Sequence, residues 1–176
     1  MQRKYIGDSY DLVKRFLSES LREIAPLYAH QRFVPLEIRP EYTRITSIPI
    51  LEEPPSNPFA ILLDPDVGIP FPSSASEHPT ASHAPLPFLV KVNACFHPKY
   101  IICFDQSYHR THELRREVQR SEKRKFLQER NLFSFYFVSH APFLFTAENP
   151  KILEAIRVRL VSLGIPESRF EPGTVE

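Results

Sequence analysis

Acidic residues stand directly after apolar runs at several points of this 176-residue sequence, where parallel strands would deliver them to one sheet edge. Asp64 and Asp66 follow the run 59–63, and Asp105 follows 100–104. Asp8 follows residues 5–7, and Ser139 and His140 close the run 132–138. Grouped carboxylates repel one another unless a pKa rises or a cation joins them. Oxygen donors without a set of Cys or several His suit a hard divalent ion, so Asp64, Asp66 and Asp105 are expected to hold Mg²⁺ or Mn²⁺. Beside such an ion, Asp8 would orient ligands and His140 would serve as acid or base, which makes Asp8, Asp105 and His140 the catalytic candidates. Lys14 and Arg110 would contact phosphate. The chemistry expected of this set is metal-dependent phosphodiester cleavage, in its sharpest form that of a nuclease.

A plainer role is open to each residue. Asp8 suits a helix cap, the segment 64–68 (Asp-Pro-Asp-Val-Gly) suits a tight turn, Asp105 suits a turn or cap, and His140 suits a structural histidine. Under those roles the alternative is a non-enzymatic Rossmann-like module that binds nucleic acid or a protein. A nucleotide-binding enzyme without glycine loops is a third reading.

Composition narrows the field. Four glycines cannot build a G-x-G-x-x-G or G-x-x-x-x-G-K phosphate cradle, which argues against a standard dinucleotide enzyme or P-loop NTPase. With a net charge of +1, attraction to nucleic acid has to come from local patterning. Between residues 109 and 130 there are eight Lys/Arg and four Asp/Glu, with Arg116, Arg120 and Arg124 recurring every fourth position beside Lys123. On a helix this is a basic stripe able to track phosphates, or else a solvated face laced by pairs such as Glu122 with Lys125. Cys95 and Cys103 are too few for a disulfide framework, and neither they nor His97, His109 and His112 complete a zinc tetrad. Ser139 and His140 are adjacent, so on a strand they would face opposite ways, and no glycine elbow supports a serine nucleophile. The N-terminus has no apolar leader core and no run of 18 apolar residues occurs, so a cytoplasmic protein without a membrane span is expected; oligomeric state is not readable.

The elements that must position these groups follow from periodicity. Residues 9–24 place Leu12, Val13, Phe16, Leu17, Leu21 and Ile24 on one helical stripe, with Asp8 or Ser9 as cap. Lys4, Tyr5 and Ile6 suit a short strand. Strands are expected at 59–63, 100–104, 132–138 and 143–147, with helices at about 111–130 and 152–163. Between residues 35 and 98 stand 13 of the 18 prolines, which predicts short extended pieces and turns without long helices. A Pro/Ser-rich loop at about 70–87 is expected to lie outside the core. Alternating strands and helices predict one α/β domain over 1–176, a Rossmann-like three-layer sandwich with a mostly parallel sheet.

Several blocks carry a resemblance: Gly7-Asp8-Ser9-Tyr10-Asp11, Leu63-Asp64-Pro65-Asp66-Val67-Gly68-Ile69, Phe104-Asp105-Gln106-Ser107 and Val138-Ser139-His140-Ala141. They resemble blocks of a family of short uncharacterised microbial α/β proteins, and the likeness spans nearly the whole chain. That family implies no activity. A fainter similarity, limited to the Asp-Pro turn ending a buried strand, links the chain to three-Cys-motif partner proteins.

Overall fold

A computed structural model describes residues 6–71, 78–108, 115–140 and 142–172. Among the described residues, five α-helices accompany a seven-stranded sheet of order β2-β1-β3-β4-β6-β5-β7. The strands are β1 (Leu27–His30), β2 (Ile50–Leu51), β3 (Ala60–Leu63), β4 (Ile101–Phe104), β5 (Phe133–Phe137), β6 (Phe143–Ala147) and β7 (Phe170–Glu171). Pairings among β2, β1, β3 and β4 are parallel, whereas β4 with β6, β6 with β5 and β5 with β7 are antiparallel. The sheet is therefore mixed, and the mostly parallel expectation holds only for one end. The connection between β5 and β6 is too short for a crossover, which forces an antiparallel return. Two antiparallel steps leave β5 parallel to β4, so the carboxyl ends of β3, β4 and β5 share one edge.

Helix α1 (Ser9–Leu21) starts where Asp8 accepts hydrogen bonds from the amides of Tyr10 and Asp11. Its buried face carries Asp11, Lys14, Leu17, Ser18 and Leu21, while Leu12 is 62% and Phe16 37% exposed. The predicted apolar stripe is thus rotated, because two charged residues occupy interior positions. Helices α2 (Arg39–Thr46) and α3 (Leu86–Phe96) fall in the proline-rich stretch predicted to lack long helices. Each has its proline in the first turn, where a missing N–H costs nothing. Helix α4 (Arg116–Gln128) starts later than the helix expected from about 111, with Arg115 extended as its cap and residues 111–114 outside the described ones, whereas helix α5 (Pro150–Ser162, capped by Asn149) matches the expected one. The short strand expected at residues 4–6 falls mostly outside the described residues, and Ile6 lies in a turn.

Strand parity sorts the core. Leu27, Ala29, Ala60, Leu62, Ile102, Phe104, Phe135 and Phe145 join one apolar cluster with α1, α2 and α5. Ile61, Leu63, Ile101, Cys103, Tyr136 and Leu144 join a second with α3 and α4. Fully burying a side chain such as Leu17 or Leu89 contributes about 1.5–3 kcal/mol.

The loop expected outside the core is tied to it instead, though residues 72–77 lie outside the described part. The Asp66 amide donates to Ala81 (3.1 Å), that of Val67 to Ser82 (2.9 Å), and that of Ala84 to Gly68 (3.0 Å). Ile69 and Ala84 are wholly buried. Among the described residues no helix is long and apolar enough to cross a membrane.

Candidate functional site

Adjacent strands β3 and β4 run in register, Leu62 beside Ile102 and Leu63 beside Cys103. Side chains alternate along a strand, so Asp64 continues the face of Ala60 and Leu62, and Asp105 continues that of Ile101 and Cys103. The two aspartates consequently sit one step apart and turn to opposite sheet faces. Each meets a buried lysine and a buried tyrosine there.

On the first face, Lys14 Nζ donates to Asp64 Oδ2 at 2.7 Å and to Asp11 Oδ1 at 2.9 Å. The Tyr42 hydroxyl donates to the same Asp64 oxygen at 3.3 Å, and the Gly7 amide holds the other oxygen of Asp11 at 2.7 Å. The rings of Tyr42 and Phe104 flank the ammonium at 5.9 and 6.0 Å. Burial pushes the Asp64 carboxyl above its ordinary range, with Lys14 opposing. Burial alone would lower the Lys14 pKa, but Asp64 and Asp11 outweigh it and raise the value. Tyr42, buried beside the carboxylates, is raised well above its ordinary value.

On the second face, Asp105 has both oxygens filled. Oδ2 accepts from Lys123 Nζ (2.8 Å) and the Tyr136 hydroxyl (2.7 Å). Oδ1 accepts from the amides of Ile69 (2.9 Å) and Ser107 (3.1 Å). Lys123, only 1% exposed, also donates to the Ser107 carbonyl at 3.3 Å. Tyr136 is raised well above its ordinary pKa by burial and by Asp105. Gly68, at φ +131°, lets the two strand-end loops touch: a Cβ there would stand 2.5 Å from Asp105 Oδ1 and 2.6 Å from its Cα.

Two cavities open beside these nests. One of about 310 Å³ is lined by Asp8, Tyr10, Lys14, Asp64, Asp66 and Gln106, among others. The other, about 230 Å³, is lined by Asp105, Gln106, Arg116, Arg120, Lys123 and His140, among others. Gln106 belongs to both walls, and its amide group donates to the Tyr10 hydroxyl. His140 stacks on Tyr10 with ring centres 5.0 Å apart, its Nε2 lying 3.3 Å from Ser9 Oγ. The described acids of the first cavity are three against one ammonium, and the second holds one described acid against three Lys/Arg.

The sequence-predicted residues are distributed as follows. Asp8, Asp64, Asp66, Asp105 and His140 do reach one edge, as expected. Asp64 and Asp105 do not converge on a shared point, and both are engaged by ammonium groups. Among the described residues no three His, Cys, Asp or Glu side chains are grouped so as to hold a metal ion. Lys14, expected on phosphate, is committed to two carboxylates. Arg110 lies outside the described residues. The Arg116/Arg120/Arg124 stripe is divided among three environments. Arg116 stacks over Tyr108 at 4.9 Å, Arg120 grips Glu171 through two 2.8 Å contacts, and Arg124 turns to another cavity. Sequence reasoning gave no site role to Asp11, Tyr42 or Tyr136, and it placed Lys123 only beside the arginine stripe. One signal was present: Gln119, Lys123 and Leu127 recur every fourth residue and form the buried face of α4, one position away from the arginines.

A scan against protein-family models found no match, and searches of curated proteins and of solved structures found none either.

Proposed function

We propose that the strand-end edge binds a phosphate-bearing ligand, with a nucleic-acid backbone as the ligand of this chemistry that the edge fits best. One observation carries the reading: Arg116 lines a cavity of about 230 Å³ with Arg120 and Lys123, which keep their positive charge beside Glu171 and Asp105, and Asp105 is the only acid among the described lining residues. Asp105 is already filled by four donors, so it offers little repulsion to an incoming anion. Support also comes from location, because ligands of open α/β sheets gather at the carboxyl ends of parallel strands. A Rossmann-like three-layer arrangement, with helices over both faces, belongs to the same proposal. The resemblance to short microbial proteins implies no activity, so the reading stands on geometry alone.

Metal-dependent phosphodiester cleavage is a second reading, favoured by the acidic cavity that shares Gln106 with the basic one. In it, Asp64 and Asp66, two of the three acids expected to hold the ion, would bind Mg²⁺ or Mn²⁺ together with oxygens of the ligand itself, since no three described acids are grouped around one point, and His140 would act as acid or base. The ion would activate a water and neutralise phosphoryl charge.

Fluorescence anisotropy of labelled single-stranded and duplex DNA and RNA tests the first reading across a salt series. Arg116→Gln and Arg120→Gln should weaken binding for all sequences and flatten the salt dependence by about 0.7–0.9 per lost phosphate contact. Unchanged slopes in both variants would refute it. Cleavage of the same oligonucleotides with Mn²⁺, lost in Asp66→Asn, tests the second.

A further inference from the structure

At the opposite end of β5 from His140, helices α4 and α5 enclose a separate cavity of about 240 Å³. Arg124 from α4 and Arg157 from α5 both line it, with Phe133, Pro150 and Leu153 as apolar wall and Glu154 as a described acid. Among the described residues, Arg124 Nε and Arg157 Nη2 are buried without a hydrogen-bond partner. Buried guanidinium donors left empty are rare, because each forfeits the water it gave up. Neither arginine is loosely placed. Arg157 donates through Nη1 to the Pro172 carbonyl at 3.5 Å and lies 5.5 Å over the Phe170 ring. Arg124 is half-buried, and burial lowers its pKa, with Tyr136 and Glu171 opposing. Beside them Phe133 keeps 42% of its surface exposed, unusual for an aromatic residue on a sheet.

Two unfilled N–H donors of positive charge, next to an open aromatic wall, define a ligand with an anionic end and an apolar body. We propose that this cavity is a second binding site, one that takes a small organic oxyanion, phosphate or carboxylate. The oxyanion accepts from the guanidinium groups of Arg124 and Arg157, and the apolar body lies against Phe133, Pro150 and Leu153. The site is independent of the strand-end edge, with which it shares none of its named lining residues.

Calorimetric titration of the full chain with phenyl phosphate, benzoate and inorganic phosphate tests this. Phenyl phosphate or benzoate should bind, the tighter one identifying the oxyanion, and inorganic phosphate should bind more weakly for want of an apolar body. Arg124→Gln and Arg157→Gln should each lose about tenfold or more in affinity, whereas Arg44→Gln, at an exposed position away from both cavities, should lose none. Glu154→Gln should tighten binding by removing a competing carboxylate. Thermal melts check that each variant folds, and Arg124→Lys supplies a second probe, keeping the charge but not the Nε donor. Absence of binding by all three anions would overturn the proposal, as would affinity indifferent to both arginines. A Glu154→Gln variant that loses stability without gaining affinity would assign Glu154 as the arginines' own counter-ion and overturn it equally.

Discussion

Asp64 and Asp105 hold matching places on neighbouring strands, each with a buried lysine and a buried tyrosine, yet they are built for different work. Asp105 takes two side-chain donors on one oxygen and two backbone amides on the other, which ties the β3 and β4 loops and α4 into one unit. Asp64 takes Lys14 and Tyr42 on a single oxygen, and among the described residues no donor is placed on its Oδ1. Lys14 is in turn shared with Asp11, so among the described residues that face holds two acids on one ammonium. A carboxylate with every lone pair filled works as a latch. One that is buried, raised in pKa and held by the described donors on one oxygen lines the acidic cavity beside it, where a perturbed carboxylate can take part in chemistry.

Removing the acids should separate the two nests most sharply. Asp105→Ala strands the Lys123 ammonium, the Tyr136 hydroxyl and two amides, and should cost about 3–5 kcal/mol. Asp64→Ala leaves Lys14 with Asp11 and should cost about 1–3 kcal/mol. Urea denaturation measures both. Equal costs would break the comparison, and a stability gain in either variant would point to clustered, repelling carboxylates of the kind a shared metal site requires.

Removing the bases should reverse the order. Lys14→Met leaves Asp11 and Asp64 buried together and should cost about 3 kcal/mol near neutral pH, while Lys123→Met leaves Asp105 three donors and should cost about half as much. The pH dependence follows from the shifts. Because the folded pKa of Lys14 is raised, its stabilisation is whole below the ordinary lysine value and is lost as pH rises through the folded one. Asp64, also raised, binds its proton more readily when folded, so its contribution improves as pH falls toward the ordinary carboxylate range. Denaturation of Lys14→Met from pH 7 to 5 should therefore recover part of the loss. Stability that is flat over this range would show that the Asp11–Asp64 pair does not carry the penalty.

Much of this arrangement was readable in the residues, and the part that was not has specific causes. Apolar runs gave β3, β4, β5 and β6, and the Asp8 and Asn149 caps fixed the starts of α1 and α5. The mixed sheet was missed because β6 returns between β4 and β5, a choice of neighbour that periodicity does not encode. β1 and β2 span only four and two residues, too few to alternate visibly among prolines. The acids were found at one edge, but which face each uses depends on the parity of Asp64 and Asp105 relative to the β3–β4 register. Residues 64 and 105 differ in parity, and only the pairing of Leu62 with Ile102 turns that difference into opposite faces. The burial of the lysines was what the sequence reading missed most: Lys14, expected on phosphate, and Lys123, expected beside the arginine stripe, look like surface charge until their aspartates are seen across the fold.

The smallest expected effect isolates the latch from the charge it holds. Gly68→Ala alters no ionisable group, yet its methyl would have to enter a space 2.5 Å from Asp105 Oδ1 and 2.9 Å from the Gln106 amide, at a φ that side chains avoid. The loops must part to admit it, lengthening the amide contacts of Ile69 and Ser107 to Asp105. A cost of about 1–3 kcal/mol is expected, below that of removing the carboxylate, since Lys123 and Tyr136 can follow the shifted side chain. Nuclear magnetic resonance of the amides gives the finer readout. Ile69 and Ser107 should move, while Gly7, which bonds Asp11 on the other face, should stay. If Gly7 moves as far as Ile69, the two nests are mechanically one, and the division between latch and available carboxylate fails.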